Sequence, residues 1–213
     1  MANPVGWESY RSQIQQLANL NFNYDEKVYH SALDKKGWNT DHYQALLAIE
    51  LPGAPIKNGP FEVAQNAIRL YQFPDPHLIS AIFDPERELN GRDMLMLAKF
   101  AGFTFTFGVR VTAVVDEERT LPSGQKIKVW GYAYRTLSGH FEVGEIRFEV
   151  SKNLTTGEVF FEINAYSKPD RIQNIFYRIG FHLFGRRLQK YFAKSSIARL
   201  QNMAQKSLLN KSL

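Results

Sequence analysis

The sequence predicts an α+β protein: an antiparallel sheet of about seven strands around a long C-terminal helix, with an N-terminal helical extension. Three observations predict this class. Apolar and polar residues alternate through most of residues 77–167, as in strands that bury one face. Short turn sequences such as "LPSG" and "NLTTG" separate these segments, which favours an antiparallel meander. After Pro169, apolar residues recur at helical spacing opposite a row of cations.

Residues 1–40 are predicted to form the helical extension and a connector, and residues 41–213 the main domain with its basic C-terminal helix. The extension begins with an amphipathic helix, because its apolar residues recur at three- and four-residue intervals. These residues are Trp7, Tyr10, Ile14 and Leu17. The following stretch, "NFNYDEKVYHSALDKKGWNTD", keeps no such interval and is predicted to be irregular.

The main domain is predicted to begin with a strand over 43–51 and a helix over 60–71, whose first turn suits Pro60. Six further strands are predicted at 77–83, 92–100, 104–117, 126–137, 140–150 and 158–167. One side of the 104–117 strand is apolar and is predicted to be buried. It carries Phe105, Phe107, Val109, Val111, Ala113 and Val115. Pro169 is predicted to begin the last helix.

Charge is unevenly distributed along the chain. Residues 168–213 hold ten Lys or Arg against one acid, a formal charge of +9, whereas residues 1–167 hold sixteen against twenty, or −4. A basic helix of this kind can contact an anionic membrane surface. The candidates for that contact are Arg178, Arg186, Arg187, Lys190 and Lys194. Nucleic-acid binding is not predicted, because no recognised reading motif accompanies the charge.

The composition argues against several other classes of protein. The chain has no cysteine, which excludes a disulfide framework and a thiolate metal site. Its N-terminus lacks the pattern of a secretory signal, and no apolar run approaches the roughly 18 residues of a membrane-spanning helix. We therefore expect a cytoplasmic protein, with peripheral attachment to a membrane as the alternative.

Several motifs resemble the uncharacterised family known as domain of unknown function nineteen-ninety. They are "FNYDEKVYHSA", "HLISAIFDP" with Gly91 shortly after it, "GVRVTAVVDE", "GYAYRTLSGHFEVGE" and "FFEINAYSKP". The resemblance spans residues 21–200. The chain departs from the family pattern at Lys168, where the family generally has Arg, and at Ile146, where it generally has an acid. No established activity comes with this resemblance.

The order of elements also resembles the helix-grip fold of the START and polyketide-cyclase superfamily, in which a curved sheet wraps a long C-terminal helix. Members of that superfamily usually enclose an apolar cavity. The element order, the buried strand faces and the resemblance together predict a protein that binds an apolar or amphipathic small molecule, such as a lipid-like one, and no cofactor is predicted. A filled core is the alternative to an open cavity, and an enzyme of cyclase or hydratase type is the alternative to a binding protein.

The stretch "SGHFEVGEIRFEV", residues 138–150, carries the candidate catalytic residues His140, Glu142 and Glu145. Regular alternation would aim His140 and Glu142 inward and Glu145 outward, whereas a bulge at Gly144 would place all three on the polar face. His140 could serve as acid or base with Glu142 or Glu145 orienting it; a hydrogen-bonded structural cluster is the alternative. No metal is predicted, because a catalytic zinc site needs three protein ligands.

Further candidate ligand-binding residues lie on the neighbouring strands. With His140 and Glu142, they are Arg110, Tyr132, Tyr134, Tyr166 and Ser167. Tyrosines can line a ligand pocket and offer it a hydroxyl, or they can cap a core with the ring buried and the hydroxyl in solvent. Arg110 could bind an anionic ligand or pair with a carboxylate of the protein, such as Glu142.

Overall fold

Seven strands form a single antiparallel sheet in the order β1-β7-β6-β5-β4-β3-β2. The computed structural model describes residues 6–31, 37–100, 102–169 and 175–209, with side chains except those of Val28, Ser31, Phe100 and residues 175–185. The strands are β1 Asn39–Ile49, β2 Ile79–Ile82, β3 Asp93–Phe100, β4 Phe103–Thr120, β5 Lys126–Thr136, β6 Glu142–Asn153 and β7 Glu158–Pro169. The predicted meander is confirmed, and β1 completes the sheet by pairing with β7.

The helices lie before, within and after this sheet. A 3-10 turn at Trp7–Tyr10 leads into α1 Arg11–Leu17, and α2 Glu26–Ser31 follows. The predicted helix at 60–71 is α3 Pro60–Arg69, and the chain ends its described part in α4 Ile175–Leu209. A sheet of this order with a long final helix is the helix-grip arrangement, so the predicted fold class is confirmed.

One face of the sheet, which we call the inner face, packs against α3 and α4. Alternate residues of the central strands point to this face, and Phe148, Val150 and Phe161 on it are fully buried. From the helices, Ile68 of α3 and Leu200 of α4 belong to the same core. The core therefore sits between the sheet and these two helices.

The opposite, outer face is partly covered by the N-terminal extension. Ile14 and Leu17 of this extension form a second apolar cluster with Leu95 and Leu137 of the sheet side. Arg110 of β4 ties the extension down, because its guanidinium donates to the main-chain oxygen of Leu17 at 2.8 Å. Both faces of the sheet are therefore occupied, by different parts of the chain.

Three predictions about the elements are wrong. A register shift between Val111 and Ala113 interrupts β4, and because it reverses the alternation, Ala113 and Val115 do not share the buried face of Val111. The connector predicted to be irregular contains α2. Pro169 ends β7 and does not begin the last helix.

Candidate functional site

The start of β6 carries the candidate catalytic residues, and its pairing there is regular. β6 pairs with β7 from Glu142 to Lys152 without a register shift, so Glu142 lies on the inner face and Glu145 on the outer face. A Cβ on Gly144 would lie 2.2 Å from the main-chain oxygen of Tyr166. The glycine therefore permits a close approach of β7 and does not form the bulge that was the alternative.

The carboxyl group of Glu142 is held by neutral donors. Its Oε1 accepts a hydrogen bond from Nε2 of Gln189 at 2.8 Å, and the hydroxyl of Ser167 also hydrogen-bonds it. No ion-pair partner lies within 4.0 Å of it among the described residues. Burial raises the pKa of Glu142 from 4.5 to about 7, against the effect of these two hydrogen bonds and of the charge on Arg186. Near neutral pH the group therefore exists in both protonation states.

A chain of hydrogen bonds orients Gln189, the hydrogen-bond partner of Glu142. Arg186 of α4 donates to both carboxylate oxygens of Asp41 on β1, at 2.6 and 3.0 Å. The same guanidinium donates to Oε1 of Gln189 at 3.1 Å. Because the amide oxygen of Gln189 is held in this way, its NH₂ group is turned toward Glu142. Strand β1, helix α4 and strand β6 are thus joined through four polar side chains.

His140 precedes β6 and is buried beside it. Its ring meets that of Phe107 edge-on, with 4.3 Å between the centroids. Nδ1 accepts a hydrogen bond from the main-chain N–H of Glu142 at 2.9 Å, which places the proton of the neutral ring on Nε2. Burial lowers the pKa of His140 to about 3. The ring is therefore neutral at physiological pH and braces the start of β6, without contacting the Glu142 carboxylate.

Tyr132 and Tyr134 both lie on the inner face, at different depths of the core. The hydroxyl of Tyr132 donates to the main-chain oxygen of Ile68 at 3.2 Å, which makes it part of the packing against α3. The hydroxyl of Tyr134 lies 3.3 Å from that of Tyr71. Burial raises the pKa of Tyr134 to about 12, and the charge of Glu142 adds to this rise. Tyr134 therefore borders the polar group at Glu142, whereas Tyr132 does not.

The inner face is closed at one end and accessible at the other. Near α3, Phe148 and Val150 have an exposed fraction of 0%. Around the start of β6, Phe107, Ile146 and Glu142 keep part of their surface exposed. We call the polar group here, with its apolar surroundings, the inner-face site. Its polar members are Asp41, Glu142, Ser167, Arg186 and Gln189.

Three of the predicted site residues lie on the outer face of the sheet. The ring of Tyr166 stacks on Tyr29 of the extension, with 3.7 Å between the centroids. Glu145 lies on the same outer face, opposite Tyr166 in the β6–β7 pairing. Arg110 donates to Asp93 at 2.6 Å, and not to Glu142. Tyr166 and Arg110 hold the extension against the outer face.

The family comparison agrees with the motifs. The family described as Domain of unknown function (DUF1990) matches residues 23–199. The chain belongs to this family. A search of curated proteins found no match to this DUF1990 chain.

Several solved structures are similar to this DUF1990 chain over most of their length. Ara h 8.0201 is 9% identical with a TM-score of 0.44, over 78% of this chain and 99% of that one. A Thalictrum flavum norcoclaurine synthase point mutant, in complex with a transition-state analogue, is 10% identical with a TM-score of 0.44, over 82% and 96%. A protein from Chromobacterium violaceum is 15% identical with a TM-score of 0.43, over 78% and 96%. Because these scores are below 0.5, the fold assignment rests on the sheet order and helix placement.

The cations predicted to contact an anionic surface divide into two groups. Arg186 forms an ion pair with Asp41 in the inner-face site. Arg187, Lys190 and Lys194 are exposed, and none of them has an ion-pair partner within the described residues. The side chain of Arg178 lies outside the part that the structure describes. No helix within the described ranges is long and apolar enough to cross a bilayer.

Sequence reasoning missed two polar members of the inner-face site, Asp41 and Gln189. Asp41 lies on the inner side of β1, opposite Ala165 of β7, and alternation with Tyr43 could have placed it there. Gln189 lies on the same helical stripe as the buried Ala193 and Leu200. A polar residue on a buried stripe was therefore the available signal for Gln189.

Proposed function

We propose that this DUF1990 domain binds a small apolar or amphipathic molecule at the inner-face site. The apolar part of the ligand lies against Phe107 and Ile146, between the sheet and α4, and its polar end meets Glu142. The single observation that carries the proposal is the largely buried carboxyl of Glu142, which has no cationic partner within 4.0 Å among the described residues.

The cost of this arrangement supports a binding role. A buried carboxylate without a counter-ion destabilises the folded state, and the bonds that Glu142 makes within the described residues come from neutral groups. The opposite end of the inner face is filled by Phe148 and Val150, with no exposed surface. Because Phe107 and Ile146 stay partly exposed beside Glu142, the site offers both apolar surface and a hydrogen-bonding group, as ligand sites generally do.

Native mass spectrometry of protein purified from its own host tests the proposal. We expect a bound small molecule that organic extraction releases, and a lower bound fraction in Glu142→Gln. Glu145→Gln is the matched control, since it changes the same residue type on the same strand but on the outer face. A protein that carries no molecule, or that loses it equally in both variants, would contradict the proposal.

An enzyme of cyclase or hydratase type is the second candidate function, favoured by the raised pKa of Glu142 alone. A carboxyl group with a pKa of about 7 can both give and take a proton near neutral pH. In this version Glu142 is the acid or base, because His140 stays neutral near pH 7 and its Nδ1 accepts from main chain. Incubating the extracted molecule with wild type should then convert it, with a rate that titrates near pH 7 and is lost in Glu142→Gln. Recovery of the molecule unchanged would contradict the enzyme.

Peripheral attachment to a membrane is a third candidate, favoured by the exposed cations of α4. Arg187, Lys190 and Lys194 lie within eight residues and lack acidic partners in the described part of the chain. Each cation near an anionic bilayer is worth about 1 kcal/mol, so we expect weak co-sedimentation with phosphatidylserine vesicles that high salt removes. Binding to phosphatidylcholine vesicles alone, or no effect of replacing the three cations by glutamine, would contradict this mechanism.

A further inference from the structure

We propose that the inner-face site selects ligands whose polar end donates hydrogen bonds, with a protonated amine preferred over a hydroxyl, and rejects carboxylates and phosphates. This inference rests on the proposed binding function and names the ligand class of the same site. It runs against the net charge of the protein, which is +5 and would by itself favour anionic ligands.

The described side chains of the site include more acidic groups than cations. Two carboxyl groups, Glu142 and Asp41, stand against one cation, Arg186, and the guanidinium is already bound to both oxygens of Asp41. Its remaining described contact is with Gln189. An anionic ligand head would therefore meet two acids and no cation that is free to receive it, within the residues whose side chains the structure describes.

Several donors at the site are also engaged. The NH₂ group of Gln189 donates to Glu142, and the Ser167 hydroxyl hydrogen-bonds the same carboxyl. Nδ1 of His140 is an acceptor and is itself satisfied by main chain. The Glu142 carboxylate keeps acceptor capacity for a ligand, because its Oε1 takes the bond from Gln189 and a carboxylate has about four lone-pair sites in all.

Among the described side chains, three elements place a charged or titratable group near Glu142. From β1 the charged group is Asp41, from β5 the titratable group is Tyr134, and from α4 it is Arg186. β7 contributes the uncharged Ser167. Since burial raises the pKa of Glu142 to about 7, its negative charge grows as the pH rises from 6 to 8, and the affinity for an amine should grow with it.

Isothermal titration calorimetry with three ten-carbon probes tests the inference on the full chain. The probes are decylamine, decan-1-ol and decanoate, each used below its aggregation limit at pH 6 and pH 8. At pH 8 we expect decylamine to bind roughly a hundredfold more tightly than decanoate, since like charges placed together in a binding site are strongly disfavoured. Decan-1-ol should lie between them, and only the amine should bind more tightly at pH 8 than at pH 6.

Variants separate the ligand class from the binding function itself. In Glu142→Gln the preference for decylamine over decanoate should fall by at least about tenfold, while Glu145→Gln on the outer face should keep it. Decanoate binding as tight as decylamine, or a preference that survives in Glu142→Gln, would overturn the inference and leave the binding function standing. Failure of all three probes to bind would overturn both.

Discussion

Replacing Glu142 by glutamine is expected to stabilise the folded protein at pH 8 and to change its stability by no more than about 1 kcal/mol near pH 4. The substitution keeps the size of the side chain and the oxygen that accepts from Gln189. It removes the negative charge that is held in a largely buried position. A variant more stable than wild type would show that the charge of Glu142 does not contribute to the stability of the fold.

The magnitude follows from the pKa of Glu142. Each pKa unit corresponds to about 1.4 kcal/mol, so a rise from 4.5 to about 7 makes ionisation cost about 3 kcal/mol in the folded state. The sign follows from proton binding: between pH 4.5 and 7 the folded chain holds the proton more tightly, so rising pH reduces the stability of wild type. The variant also loses one hydrogen bond to the carboxyl group, worth about 1 kcal/mol. Its free energy of unfolding is therefore expected to exceed that of wild type by about 2 kcal/mol above pH 7.

Urea unfolding of both proteins at pH 4, 6 and 8 measures this difference. Glu118→Gln is the control, because Glu118 is exposed on β4 and its replacement should change stability by less than about 0.5 kcal/mol at every pH. A variant that is less stable than wild type at pH 8, or a difference that does not grow between pH 4 and pH 8, would refute the reasoning.

Three further substitutions test the packing and ion pairs that hold the fold together. Gly144→Ala should cost about 1–3 kcal/mol, seen as a lower Tm, because its Cβ would meet the main chain of β7 at 2.2 Å; an unchanged Tm would contradict the close approach. Lys152→Met should lower the free energy of unfolding in urea by about 3–5 kcal/mol, because it leaves the fully buried carboxylate of Glu50 without its ion-pair partner. Lys128→Met removes a half-exposed pair and should lower it by less than about 1 kcal/mol; equal losses in the two variants would contradict this. Arg110→Met should make the N-terminal extension an early target of limited proteolysis, because it removes the bonds to that segment; an unchanged cleavage pattern would contradict it.

Strand and helix types could be read from the sequence because burial imposes a period of two or 3.6 residues. The β4 bulge could not, since Val114 and Val115 are adjacent and apolar, so either register leaves a valine on each face. The structure pairs Val114 with Tyr132, an inner-face residue. The pattern there fits both alternatives equally well, and only the pairing with β5 decides between them.

The candidate site was predictable in part for the same reason. Regular alternation, one of the two registers that the sequence leaves open, places Glu142 inward and Glu145 outward, and the β6–β7 pairing follows it. The bond between Glu142 and Gln189 joins residues 47 positions apart, and the rotation of α4 about its axis decides that contact. Tyr166 and Ser167, in contrast, are neighbours in a strand and must face opposite sides, so the sequence alone could have shown that they do not share a site.

A crystal structure of the wild-type protein with decylamine tests the binding site most directly. We expect the amine nitrogen within about 3.2 Å of the Glu142 carboxylate, with the alkyl chain along Phe107 and Ile146 under α4. An inner face closed by protein side chains at Phe107 and Ile146, or an alkyl chain bound only on the outer face, would contradict the account.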